Sequence, residues 1–416
     1  WEDENPEIMN TLWYHDHRLD FTATNVYAGF SGFYLLFDTL DSGDENDPNP
    51  KAFRLPSGDY DIPMILHDVQ FDENGQAVWD FFTPSPKPKD APIDVGNFQG
   101  TLDGFSPARQ KYTTNGMIGD MYTVNRIIRP YLDVDRRKYR FRILNGGPSR
   151  LYRLKLQVIP EYGEPYFDTM IALSNDGNLY EYPLEVHELE IWVANRVDAV
   201  IDFSKYQSGN ILESRSDGAG PTGYEIEYVT EEDAVIEFRP LPGDVEDPSR
   251  IPEFMRSLPK IDMTEVVRER LFVFDYDNGL WTVNGRLMDP NRVDAQIEQG
   301  TAEIWTFRST GSSWAHPVHT HFEEFQIIEK NGRPIRDGDV LRARKDVVQL
   351  GPQDEVVFFS RWRDFLGKHV MHCHNVVHED HAMMIRWDIV PAEGRRRQRR
   401  ERRQRRSEAT TPNKKG

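Results

Sequence analysis

The sequence predicts an all-β protein built as a series of β-sandwich domains. Three observations carry this. Short apolar runs of strand length recur along the chain, 27 Pro and 29 Gly are scattered between them, and turn clusters such as Asn145-Gly146-Gly147-Pro148 and Ser216-Asp217-Gly218-Ala219-Gly220-Pro221 punctuate them. At ~100–200 residues per domain, 416 residues correspond to two to four domains. Hydrophobic residues are 38% and aromatics 12%, enough to fill their cores.

Taken in order, residues 1–45 read as the end of a β-domain. An aromatic- and His-rich run is followed by Val26 to Phe37 (VYAGFSGFYLLF), whose glycines suggest bulges or close backbone approach within strands. Residues 41–58 are acidic and Pro-rich and read as a linker. A middle domain, 55–245, begins near the run Asp61 to Asp68 (DIPMILHD). Strands are expected at 122–128, 138–144, 151–158, 189–202 and 234–239, with an extended surface loop over 83–110. A second Pro-rich connection, 241–260, leads to a third domain, 260–391, with strands at 270–275, 303–308, 324–329 and 355–360.

Residues 392–416 include RRRQRRERRQRR and have nothing to bury, so they read as a disordered or fraying basic tail. That tail is either a solvated end or an anchor to an acidic surface. From 391 onward the net charge is +8, which leaves −27 on the rest of a chain whose total is −19. Such a balance speaks to solubility rather than fold. It gives no reason to expect a nucleic-acid partner, and no apolar stretch approaches the ~18 residues of a membrane span.

The chemistry is concentrated in histidines. Eight of the twelve fall in three clusters: His15-Asp16-His17, then His316 to His321 (HPVHTH), then His372 to His378 (HCHNVVH). The one cysteine, Cys373, rules out an internal disulfide and stands between two of these histidines. Cys and His at such spacing mark metal sites. Residues i and i+2 share one face of a strand, so His15 and His17 point the same way, as do His319 and His321. In His372-Cys373-His374 the two imidazoles face one side and the thiol the other, so one tripeptide can touch two metal centres. A thiolate, two imidazoles and a weak thioether describe a blue-copper site, with Cys373, His378 and His316 as strong ligands and Met383 as the axial one. His67, His187, His369 and His381 stand singly.

These residues resemble the multicopper oxidases, and within them the spore-coat laccase and bilirubin oxidase branch, over the chain up to about residue 390. Trp13 to His17 with Asn25 to Gly29 looks like the end of the family's first domain. Gly119-Asp120 through Asn145 is similar to its copper-free middle domain, and the His316 and His372 clusters match its third. The resemblance implies tandem cupredoxin-like Greek-key sandwiches, three in the family, with the first only partly present here. It also implies four coppers per complete enzyme. His316, Cys373, His378 and Met383 would hold type 1; His319 would bind type 2; His15, His17, His321, His372 and His374 would bind the binuclear type 3 pair. Electrons would leave Cys373 through His372 and His374, and Glu379 would assist proton delivery to O2. The family has a further His-x-His upstream that this chain lacks; with the start at Trp1, this points to N-terminal truncation.

The expected function is one-electron oxidation of phenolic, aromatic amine or tetrapyrrole donors coupled to reduction of O2 to water. The expected partners are O2 and a small reducing substrate. The expected location is outside the cytoplasm, in the envelope or spore coat. Two alternatives remain. One is an oxidase of Mn, Fe or Cu ions, disfavoured for Cu(I) by the dispersion of the 11 methionines. The other is a non-catalytic coat or copper-binding protein, if the trinuclear site is incomplete.

Overall fold

The computed structural model describes residues 10–79, 112–113, 116–119, 121–208, 210–216, 234–277, 280–311, 315–321 and 323–392. The expected 83–110 loop, the 217–221 turn and the basic tail lie outside these residues. Within them, two sheet pairs each enclose an apolar core, and an N-terminal hairpin packs against them, as the all-β expectation requires.

In the first sheet pair, a seven-stranded sheet runs Asn178–Val186, Met170–Asn175, Arg196–Asp202, Lys138–Asn145, Asp61–Val69, Met121–Val124, Ile127–Ile128. The opposing sheet is built around Tyr152–Ile159, Ile211–Ser216 and Ala234–Pro240. Tyr152–Ile159 shows why this sequence makes a strand. Tyr152, Leu154, Leu156 and Val158 are buried while the residues between them are half-buried, the period of two expected of a one-sided sheet. Lys138–Asn145 differs, being buried on both faces. Tyr139, Phe141 and Ile143 enter the core, and Arg140 and Arg142 turn to the other side, where carboxylates meet them.

In the second sheet pair, Val266–Asp277, Thr301–Ser309, Glu355–Trp362 and Phe325–Lys330 form the centre of one sheet. The other runs Ala295–Glu298, Met384–Val390, Gly367–Cys373, His316–Thr320, Val347–Leu350. Four fully buried tryptophans, Trp281, Trp305, Trp362 and Trp387, fill the space between them together with Cys373 and Met383. No helix among the described residues is long and apolar enough to cross a membrane.

Several local expectations need correction. Val26–Ala28 is not strand: it ends the helix Thr22–Ala28, and Gly29 caps that helix at φ 105°, its N–H donating to the carbonyls of Asn25 and Val26. Gly29 thus serves a left-handed helix cap rather than a bulge. Only Ser31–Leu35 is extended, paired with Thr11–His15. The 122–128 run folds into a hairpin of two short strands, and 189–202 is split in two by a turn at Trp192–Asn195. The 41–58 segment is no free linker. Asp41, Ala52, Phe53 and Leu55 are buried: Arg140 takes the Asp41 carboxylate at 2.9 and 2.8 Å, and Phe53 and Leu55 join the first core.

Candidate metal centre

The strand Gly367–Cys373 lies between His316–Thr320 and Met384–Val390, with Val318 opposite Cys373 and His319 opposite His372. Immediately after it, the Asn375 side chain accepts from Val377 N–H and caps the short helix Val376–Asp380. That turn brings His378 back over Cys373. The result is a buried triangle: Cys373 Sγ is 3.5 Å from both His316 Nδ1 and His378 Nδ1, and the two nitrogens are 3.3 Å apart. This spacing leaves room for one ion about 2.0 Å from each nitrogen and about 2.3 Å from Sγ, ordinary metal–imidazole and metal–thiolate lengths. Donor type and spacing therefore fit a soft, thiolate-bound copper. Met383 is fully buried in the same cluster; its carbonyl accepts from Cys373 N–H and its N–H donates to the His378 carbonyl. Trp281 stacks on His378 at 3.9 Å between centroids and meets His316 edge-on. Burial pushes the Cys373 thiol up and holds His316 down at about 3, so the imidazole is a neutral donor.

The other face of the tripeptide meets a second group. The Nε2 atoms of His17, His321 and His372 lie 3.1–3.2 Å apart, and those of His15 and His374 lie 3.3 Å apart. His319 joins through ring contacts with His321, His372 and His374. Here the outward nitrogens have fixed acceptors. His15 Nδ1 donates to the Asp16 carbonyl at 2.7 Å, His319 Nδ1 to Asp346 at 2.8 Å, and His372 Nδ1 to Cys373 at 3.2 Å. A carbonyl can only accept, so Nδ1 carries the proton and Nε2 presents its lone pair inward. The two groups therefore use opposite ring nitrogens: Nδ1 around the thiol, Nε2 around the imidazole cluster. Burial lowers His15 and His319 to about 4 and takes His17, His321 and His374 down as well. The set suits a cluster of cations.

Glu379, buried under this cluster, places its oxygens 3.1 Å from His372 Nδ1 and 3.4 Å from His17 Nδ1. Burial opposes its ionisation, but His372, His17 and His15 outweigh that and hold its carboxyl at about 2.

Every predicted ligand side chain is thus in one of the two groups or packed beside them, whereas His67, His187, His369 and His381 are in neither. One detail differs from the i, i+2 argument. The strand ends at His15, and His17 lies beyond it, so their rings stack at 5.3 Å yet turn to different partners. Trp281, Asn375 and Asp346 escaped the sequence reading because each reaches its histidine only through folding. Asn375, inside the His372–His378 cluster, was open to recognition as a cap.

A family model described as multicopper oxidase matches residues 260–393. A bilirubin oxidase of Albifimbria verrucaria is 32% identical over 91% of this chain and 60% of its own length. A laccase of Bacillus stratosphericus is 30% identical over 94% of this chain and 73% of its own. Thus the chain spans about 60–73% of the length of these relatives. Among solved structures, the multicopper oxidase McoA of Aquifex aeolicus superposes with TM-score 0.72 at 24% identity, over 92% of this chain and 76% of that one, a likeness of fold.

Proposed function

The chain belongs to the multicopper oxidases, and on that premise we propose that it couples one-electron oxidation of phenolic, aromatic amine or tetrapyrrole donors to the four-electron reduction of O2 to water. The observation that carries this reading is the placement of Cys373 in one donor group and of its sequence neighbours His372 and His374 in the other. We assign His316, Cys373, His378 and Met383 to a type 1 copper, His319 to type 2, and His15, His17, His321, His372 and His374 to the type 3 pair. Copper bound there would supply one-electron redox chemistry at the thiolate and O2 reduction among the imidazoles.

The chain's own residues do the rest. The Cys373 side chain and the two adjoining peptide units form an unbroken covalent link between the groups. The Trp281 ring, buried and stacked on His378, keeps water from that imidazole and fixes its plane. Glu379 is the carboxylate placed to take a proton at Oε and pass it beside His17 and His372. The reading extends to an extracytoplasmic location, in the envelope or spore coat, with O2 and a small reducing donor as partners.

Electron paramagnetic resonance of the copper-loaded protein tests it. A narrow-split blue-copper signal is expected, accompanied by oxygen consumption with a phenolic donor. Folded, copper-loaded protein without that signal overturns the reading and leaves a non-catalytic copper-binding or coat role.

A further inference from the structure

The seven-stranded middle sheet supplies none of the assigned donors, yet one of its side chains reaches both parts of the chain that do. Arg196 opens the strand Arg196–Asp202 and is fully buried. Its Nη1 and Nη2 donate in parallel to the two oxygens of Asp346, at 2.8 and 2.7 Å. Its Nε donates to the Thr11 carbonyl at 3.1 Å, and Nη1 also to Ala194 at 3.0 Å. Thr11 begins the strand that ends at His15. Asp346 directly precedes Val347, which pairs with His319. The Asp346 carbonyl accepts from both Thr320 N–H and His319 Nδ1, so its backbone position decides which nitrogen of His319 bears the proton.

Asp176, in the turn between the strands Met170–Asn175 and Asn178–Val186, completes the clamp by accepting the backbone N–H groups of Asp346 and Val347 at 3.2 and 3.1 Å. Its own orientation is fixed by Asn195, which donates to its other oxygen at 2.7 Å.

We infer that Arg196 is a positioning residue for the histidine cluster: through the Asp346 carboxylate and the Thr11 carbonyl it sets His319 and the His15 strand relative to each other. The inference rests on the copper reading above but concerns a residue that makes no hydrogen bond to any donor atom. Its logic is bidentate geometry. A planar guanidinium fixes both the distance and the angle of a carboxylate, which a lysine ammonium at the same place does not. Asp346 held in plane keeps its carbonyl on His319 Nδ1, and His319 Nε2 stays unprotonated and directed inward. If Arg196 is removed, Asp346 is free to turn and His319 loses the acceptor that selects its tautomer, and the Thr11 strand loses a tether four residues before His15.

The experiment compares wild type with Arg196→Lys, Arg196→Met and Asp346→Asn, all as the whole chain. In metal-free protein with 15N-labelled histidine, long-range 1H–15N correlation reads the tautomer of His319. The expected result is a single Nδ1–H form in wild type, and exchange between both tautomers in Arg196→Met and Arg196→Lys. Asp346→Asn, which breaks the bidentate pair but leaves Arg196 on the Thr11 carbonyl, should release His319 in the same way. On copper loading, the cluster in Arg196→Met should bind copper about 10–100-fold more weakly, with the Cys373 absorption unchanged. Wild-type tautomer and copper stoichiometry in a folded but less stable Arg196→Met would overturn the inference and leave Arg196 a stability residue. Because the tautomer is read without metal, failure of the copper reading itself would show separately, as absence of the blue signal in wild type.

Discussion

Replacing Asp198 by alanine should loosen the N-terminal hairpin specifically. Asp198 is fully buried and accepts from Arg140 Nε and Nη2 at 2.9 and 2.6 Å and from Thr11 Oγ1 at 2.7 Å; Arg142 Nη1 lies at 3.6 Å. Breaking a buried pair by deleting one partner costs ~3–5 kcal/mol, since the other charge stays in place without compensation. The lower end applies here. Arg140 keeps Asp41 at 2.8–2.9 Å, and Arg142 keeps Asp61 at 2.7–3.1 Å. What disappears is the bond from Thr11 Oγ1 to Asp198, while Arg142 Nη1 still donates to that hydroxyl and Arg196 Nε to the Thr11 carbonyl, each at 3.1 Å. A loss of ~3 kcal/mol is a factor of roughly 150 in a local opening equilibrium at 1.36 kcal/mol per decade.

Hydrogen exchange read by mass spectrometry reports this peptide by peptide. Amides of Thr11–His15 and their partners in Ser31–Leu35 should exchange roughly 100-fold faster, while Gly367–Cys373 stays protected. The sign of the pH effect follows from the carboxyl. Burial disfavours its ionisation, but Arg140, Arg142 and Thr11 prevail and hold its pKa below the ordinary value. Its stabilisation is therefore present above the unfolded pKa of ~3.9 and fades as pH falls below it. Less than about fivefold acceleration at neutral pH, or equal acceleration in every strand, would refute the anchoring argument.

Other outcomes follow from the same structure. Cys373→Ser, a near-isosteric change at a fully buried position, should abolish the blue absorption while circular dichroism stays native. Asp247→Asn should cost ~1 kcal/mol at pH 7 in chemical denaturation, discounted for partial exposure. Burial raises the Asp247 carboxyl, but Lys138 and Ser249 bring it to about 2. The difference from wild type should therefore shrink as pH falls from 4 toward 2. Gly119→Ala should destabilise by ~2 kcal/mol or more, read as a lower Tm. Its Cβ would stand 2.4 Å from Val69 N and 2.6 Å from Val69 C, backbone atoms that cannot step aside cheaply.

The sequence by itself determined the all-β character and which histidines, with Cys373, the fold gathers into two groups. Both are written at short range. Alternation along Tyr152–Ile159 and Pro and Gly at the turns are properties of neighbours. So is the opposition of Cys373 to His372 and His374, which the two-residue period of a strand imposes wherever the strand lies. The end of helix Thr22–Ala28 was misread because Val26-Tyr27-Ala28 runs without a break into the apolar stretch that follows it. Packing against the helix Val376–Asp380 and the Gly29 cap decide the matter: Asp380, more than 350 residues away, accepts the first N–H groups of that helix.

Only the tertiary structure decided which nitrogen each imidazole offers, and that His15 and His17 part company onto different partners. It alone placed Trp281 and Asp346 on histidines of the two groups and Arg196 on Asp346. The physical reason is that the tautomers depend on the direction of backbone carbonyls that only the folded chain sets, and the remaining contacts join groups far apart in sequence. A buried arginine at position 196 looks, in one dimension, like any other polar residue of a strand. Its meaning arises when folding removes water and leaves Thr11 and Asp346 as its partners.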